Sequence, residues 1–210
     1  VGLGSRAYGS IQAWGQGFWD LLAFAMQMCL IMMTGYILAC SPPVRRLLDG
    51  LSTWSNPEKP WQAILVMSLF SMIAAWLNWG LSLIASAMLA LFIVRRNPKV
   101  DYRLLVAAAY LGLGCTWHAG LSGSATLLVA TPDNFLIKGK LLDATIPVAN
   151  TIFHPFNLIL TVIVVAVVTV VLVLMHPRPG NVFVVKPELM NHLKLYEAPP
   201  KHAQWASPSD

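Results

Sequence analysis

Long apolar runs alternate with short polar stretches along this chain. No Asp, Glu, Lys or Arg occurs within residues 21–44, 60–94, 104–132 or 144–177. A run of about 18 apolar residues is long enough to cross a hydrocarbon core of about 30 Å, whereas buried helices of water-soluble domains seldom extend beyond about 14. Four such runs in 210 residues predict an all-α, polytopic membrane protein, with a membrane region over 1–180 and a polar cytoplasmic loop or tail over 181–210.

The four runs differ in kind. The first predicts a span over about 19–39, with Trp14, Phe18 and Trp19 where an interfacial aromatic belt belongs and Pro42-Pro43 as its stop. The last predicts another ordinary span over about 156–175, rich in Val and Ile and closed by His176-Pro177-Arg178-Pro179-Gly180. Residues 61–94 fit neither pattern. As one rod they would measure about 50 Å, too long for a single crossing and too short for two with a turn. Their centre, Leu77-Asn78-Trp79-Gly80-Leu81-Ser82, is polar and contains glycine. This predicts a re-entrant helical hairpin with two arms of about 14 residues and a tip at mid-depth, where non-helical backbone must be surrounded by protein or a water-filled cavity. The third run, 104–130, starts as an apolar helix and then meets Gly112, Gly114, Gly120 and Gly123 among hydroxyl side chains. Low helix propensity there predicts a discontinuous transmembrane helix, followed by a turn at Thr131-Pro132-Asp133-Asn134.

Charge sharpens the topology. Only 11% of residues are charged, against roughly a quarter in soluble domains, and the net charge is +5. If residues 61–94 double back, eleven of the 14 Lys and Arg residues lie on one side, leaving Arg6, Lys138 and Lys140 opposite. A straight crossing divides them less sharply. The positive-inside rule therefore favours the hairpin, an outer N-terminus and a cytoplasmic tail. Because the basic residues sit in short loops beside apolar runs, they report topology and not nucleic-acid binding. Cys29, Cys40 and Cys115 are odd in number and have no metal or redox spacing, so they read as packing residues. Without a Gly-rich phosphate loop, a zinc pattern or a supported Ser-His-Asp set, neither an enzyme nor a resident cofactor is expected.

Two interrupted segments point to transport, because broken helices build the substrate sites of many secondary transporters. Free N–H groups at a half-helix N-terminus suit a carboxylate. Loosened oxygens suit a coupling Na+, and a titratable side chain suits H+. The candidate substrate-binding residues are Asn78, Gly80 and Ser82 around the tip, with Thr116, His118, Ser122, Gly123, Ser124 and Thr126 in the broken helix. Plainer roles compete with each. Asn78 can serve an interhelical hydrogen bond worth about 1 kcal/mol, and membrane serines often bond their own i−4 carbonyl. His118 is the only histidine inside the two interrupted segments, while Trp79 and Trp117 stand beside the breaks.

Residues 14–28 (WGQGFWDLLAFAMQM), Thr34-Gly35 and Ser41-Pro42-Pro43-Val44 resemble the short-chain fatty acid transporter family. Asn78-Trp79-Gly80, Asp101-Tyr102, Gly120-Leu121-Ser122-Gly123-Ser124, Leu127-Leu128, Ala130-Thr131-Pro132, Ile146-Pro147-Val148 and Phe156-Asn157 follow in matching order. The resemblance runs over about 14–190 and implies ion-driven uptake of acetoacetate, butyrate or similar monocarboxylates across a bacterial inner membrane. It also implies an inverted repeat and dimeric, elevator-type movement. Asn78 and Gly80 then match the first hairpin tip, and Ser122 and Ser124 the broken-helix site. Family members are about twice as long, so this chain is expected to be the N-terminal half, partnered by the lipid bilayer, a C-terminal half and a second copy. The competing reading is a non-transporting membrane subunit of a larger complex. A membrane-embedded enzyme is a distant third.

Overall fold

A computed structural model describes residues 3–178 and 180–185; the expected tail beyond residue 185 lies outside the described residues. The described chain is all-α, with no strand. Helices α1 (Leu3–Asp20) and α2 (Leu22–Cys40) follow one another almost without interruption. Ser41 then turns extended before Pro42, as the residue preceding proline must, and the amphipathic α3 (Pro42–Ser52) begins on that proline. Neither α1 nor α3 is evident from hydrophobic runs alone, because each is too polar to register as a span.

Residues 61–94 form two helices, α4 (Trp61–Leu77) and α5 (Trp79–Arg96), joined by Asn78 alone. Asn78 takes an extended conformation, φ −155° and ψ 118°, ending one helix and capping the next. Its Oδ1 accepts the Leu81 N–H at 2.9 Å. The chain folds back at this point. Ser82 Oγ donates to the Ser71 carbonyl at 2.7 Å, although eleven residues of straight helix would hold those positions about 16 Å apart. The far ends of both arms also meet. Arg96 pairs with Asp49 of α3 at 2.6 Å, Lys99 pairs with Glu58 at 3.2 Å, and Asn97 Nδ2 donates to Ser55 Oγ at 3.1 Å.

The arms of the hairpin are longer than expected. A one-residue break lets α4 and α5 run to 17 and 18 residues, so each arm is about 26 Å long instead of about 21. Trp76 stacks edge-on against Phe153 at 6.4 Å, which places the tip beside the start of α9 (Pro155–Leu174) and not beside its middle.

The third apolar run, 104–130, breaks as expected. α6 (Tyr102–Leu111) passes into a π-helical turn over Gly112–Thr116, a 3-10 turn over Trp117–Ala119, and then α7 (Ser124–Ala130). Asn134 caps the short α8 (Phe135–Lys138) through Leu136 and Ile137 N–H at 2.9 and 3.2 Å. The core is formed by the hairpin and α6, with Ile64, Met67, Leu89, Ile93 and Leu105 fully buried. α9 lies against α4, and its outer face is apolar and exposed. Among the described residues, four helical stretches are long and apolar enough to cross a membrane, with Trp61–Leu77 just below that length. The protein is an integral membrane protein.

At the basic end, residues past α9 return to the start of α6. The Phe183 N–H donates to Asp101 Oδ2 at 2.8 Å, Tyr102 N–H donates to the Phe183 carbonyl at 2.9 Å, and Arg103 pairs with Asp101 at 3.1 Å. Burial alone would raise the Asp101 pKa. Hydrogen bonds from Arg103 and from the Phe183 and Leu104 N–H groups outweigh it and hold the carboxyl at about 2, against an ordinary 3.8. Because the folded value is depressed, this stabilisation is fully present above about pH 4 and is lost as pH falls through about 2. Asp101→Asn is expected to cost about 1–3 kcal/mol at neutral pH and to flatten the acid limb of stability between those values. Unfolding in detergent as a function of pH measures both.

Candidate functional site

The hairpin tip and the break between α6 and α7 are in direct contact. Backbone groups freed by one interruption bond to groups freed by the other, so the irregular backbone is satisfied within the protein. Leu121 N–H donates to the Trp76 carbonyl at 2.7 Å, and Trp79 N–H donates to Ser122 Oγ at 2.9 Å. Thr116 Oγ1 donates to the Met72 carbonyl at 2.8 Å, and Ser71 Oγ to the Ala108 carbonyl at 2.7 Å. Asn157 of α9 completes the seam, donating to the Ala119 and Ile152 carbonyls at 3.0 and 2.8 Å.

Close approach explains the glycines of the break. A Cβ on Gly112 would overlap the Ser71 carbonyl oxygen and lie 2.7 Å from both Ala75 Cβ and Ser82 Oγ. A Cβ on Gly120 would lie 2.6 Å from Trp76 Cα.

The structure brings Asn78, Ser82, Thr116 and Ser122 into this seam. Their hydroxyls are largely spent on protein. Ser82 and Thr116 donate to carbonyls of α4, and Ser122 accepts from the tip backbone. Gly80 is packed against α2, since a Cβ there would lie 2.8 Å from the Ile31 carbonyl oxygen. Gly123 adjoins the His118 carbonyl and Thr126, whose Oγ1 donates to the Gly123 carbonyl at 3.0 Å. Ser124 turns to α2, where its hydroxyl meets Met28 Sδ at 3.4 Å. His118 is exposed, with its ring edge-on to Trp117 at 5.9 Å.

What remains uncommitted is a set of N–H groups. Leu81 N–H occupies Asn78 Oδ1, which fixes the amide orientation and leaves Asn78 Nδ2 without a partner among the described residues. Trp79 Nε1 is buried with no hydrogen-bond partner among the described residues. Trp79 also packs at 6.5 Å against Trp117, so the two interruptions are bridged by an indole pair. These donors stand at the N-terminus of the 18-residue α5, where the helix dipole favours negative charge. Chemically, this tip is suited to an anion.

Trp79 Nε1, Ser71, Gly112, Gly120 and Asn157 were missed as members of the seam by reasoning from composition. Asn157 carried a signal, a lone amide entering an otherwise apolar run.

Comparison with known proteins adds an independent line. The family described as Short chain fatty acid transporter matches residues 3–210. A protein of Escherichia coli (strain K12) named for short-chain fatty acid transport is 41% identical over 180 residues, covering 86% of this chain and 40% of its own length. One of Haemophilus influenzae, named in the same way, is 36% identical over 184 residues, again covering 86% of this chain and 40% of its own. This chain thus spans about 40% of the length of the curated relatives it matches. No solved structure matches it.

Proposed function

Since the chain belongs to the short chain fatty acid transporter family, we propose that it forms the hairpin-bearing part of an ion-coupled carrier of short monocarboxylates such as butyrate and acetoacetate. The observation that carries this reading is the seam between the Asn78 tip and the Ser122 break, with Asn78 Nδ2 and Trp79 Nε1 still free to donate. A small carboxylate needs a few neutral donors and an apolar wall. A carrier must also release its cargo, which a permanent buried cation would hinder. Residues 61–94 contain no Lys or Arg.

On this reading the hairpin re-enters the bilayer, and its mouth faces the cytoplasm of a bacterial inner membrane. The meeting of Asp49 with Arg96 and of Glu58 with Lys99 supports placing both flanking loops on one side, in accord with the positive-inside rule. The exposed His118 and the polar rim of the break would be costly against lipid, so the remaining length seen in relatives, or a second copy, is the natural cover. Na+ or H+ is the coupling ion.

Uptake of labelled butyrate by proteoliposomes holding the full-length protein tests this. Uptake should exceed that of protein-free vesicles severalfold, rise with an imposed Na+ or proton gradient, and be competed by acetoacetate. Absence of uptake under either gradient would favour a non-transporting membrane subunit.

A further inference from the structure

The basic end holds a second feature, unconnected with the tip. Residues 175–178 and 180–185 lie at the mouth of the hairpin as a strap, held at Phe183 by Asp101 and Tyr102 and by the Arg103 guanidinium 5.2 Å above its ring. Beneath the strap lies a cavity of about 420 Å³, walled by Pro60, Trp61, Lys99, His176, Val182 and Val184 among others. Most of this wall is apolar, and two groups give it chemistry.

Lys99 brings an ammonium to the rim. Its partner is the Glu58 carboxylate at 3.2 Å, with both side chains mostly exposed. Exposed pairs of this kind contribute little, so the ammonium is readily shared with a second anion. His176 contributes the opposite need. Its Nδ1 lies 3.0 Å from the Pro177 carbonyl oxygen, which can only accept, so Nδ1 carries the hydrogen of that bond. In the neutral ring Nε2 is then an acceptor, and it is buried without a partner among the described residues. A buried acceptor left unpaired is costly, and a hydroxyl donor would relieve it.

The location narrows the ligand. His176 lies two residues beyond the end of α9, and Trp61 opens α4, so both stand where apolar helix gives way to polar loop. In a bilayer this is headgroup level, where basic residues meet anionic lipid. We propose that the strap cavity binds the headgroup of an anionic glycerophospholipid carrying a free hydroxyl, of the phosphatidylglycerol type. The phosphate is held at Lys99, a glycerol hydroxyl donates to His176 Nε2, and the upper acyl chain lies along Trp61. A simple monocarboxylate answers only the first of these needs.

Thermal unfolding of the full chain in detergent tests the proposal, using phosphatidylglycerol, phosphatidylmethanol, phosphatidylcholine and free glycerol 3-phosphate as separate additions. Phosphatidylglycerol should raise the midpoint in a saturable manner, phosphatidylmethanol less, and the other two not at all. Lys99→Gln should abolish the shift, whereas Arg46→Gln, which removes the same charge from an exposed site on α3, should retain it. Equal shifts in those two variants would reduce the effect to bulk electrostatics and overturn the site. Equal stabilisation by phosphatidylcholine, or by glycerol 3-phosphate, would overturn the lipid assignment. An undiminished shift with phosphatidylmethanol would remove His176 from it.

Discussion

Uptake by the full-length carrier is expected to fall roughly tenfold to a hundredfold in Asn78→Ala, and by a similar factor in Asn78→Ser. A hydrogen bond to a charged group is worth about 1.5–3 kcal/mol, and each 1.4 kcal/mol is a factor of ten. The paired variants separate the two roles of the side chain. Asn78 Oδ1 caps α5 through Leu81 N–H, while Nδ2 is the uncommitted donor at the tip. Alanine removes both. Serine keeps a capping oxygen, which ranks level with asparagine, and removes only the amide donor. If the side chain serves the substrate, both variants lose uptake while only alanine loses about 1 kcal/mol of stability. If it serves only the helix, serine transports normally. Asn78→Asp should be the most damaging of the three, since it keeps the cap and sets a carboxylate against an incoming anion.

The second large effect concerns how closely the broken helix approaches the hairpin. Gly112→Ala should destabilise the fold by about 1–3 kcal/mol, as overpacking of a tight contact does. For a chain of this size that corresponds to a midpoint lowered by roughly 3–10 °C. Gly114→Ala is the control. It makes the same substitution two residues away, in the same π-helical turn, and its new methyl would meet nothing within 4 Å. Since alanine is favoured over glycine in a helix by up to about 1 kcal/mol, Gly114→Ala should be neutral or mildly stabilising. Equal loss in both variants would mean that the local backbone, and not the contact with Ser71, Ala75 and Ser82, requires glycine at Gly112.

The main lines of the fold were legible because they follow from solvent and length. A polar, glycine-bearing centre in a run too long for one crossing points to a fold-back at Asn78, and four glycines in thirteen residues point to a broken helix at Gly112. Both interruptions occur there. Hydropathy does not report amphipathic or polar helices, so α1 and α3 escaped it. The length of the hairpin arms was also hidden, since it depends on Asn78 capping α5 within a single residue. Partner choice is tertiary and could not be read in advance. Ser82 and Thr116 are polar in the right places, yet their hydroxyls are taken by carbonyls of α4, while the free donors include an indole nitrogen that composition files under packing. Gly80 shows the same limit. Its lack of a side chain serves the crossing of α2 over α5, where a Cβ on Gly35 would sit 2.5 Å from the Gly80 carbonyl carbon.

Side-specific labelling tests the fold-back most directly. With Cys29, Cys40 and Cys115 replaced by serine, single cysteines at Glu58, Lys99 and Lys140 can be probed in oriented vesicles with a membrane-impermeant maleimide. The fold-back, together with one net crossing by residues 102–138, predicts that Glu58→Cys and Lys99→Cys react from one face and Lys140→Cys from the other. Reaction of Glu58→Cys and Lys99→Cys from opposite faces would mean that the intervening chain crosses once, and the seam at Asn78 would have no place in the membrane.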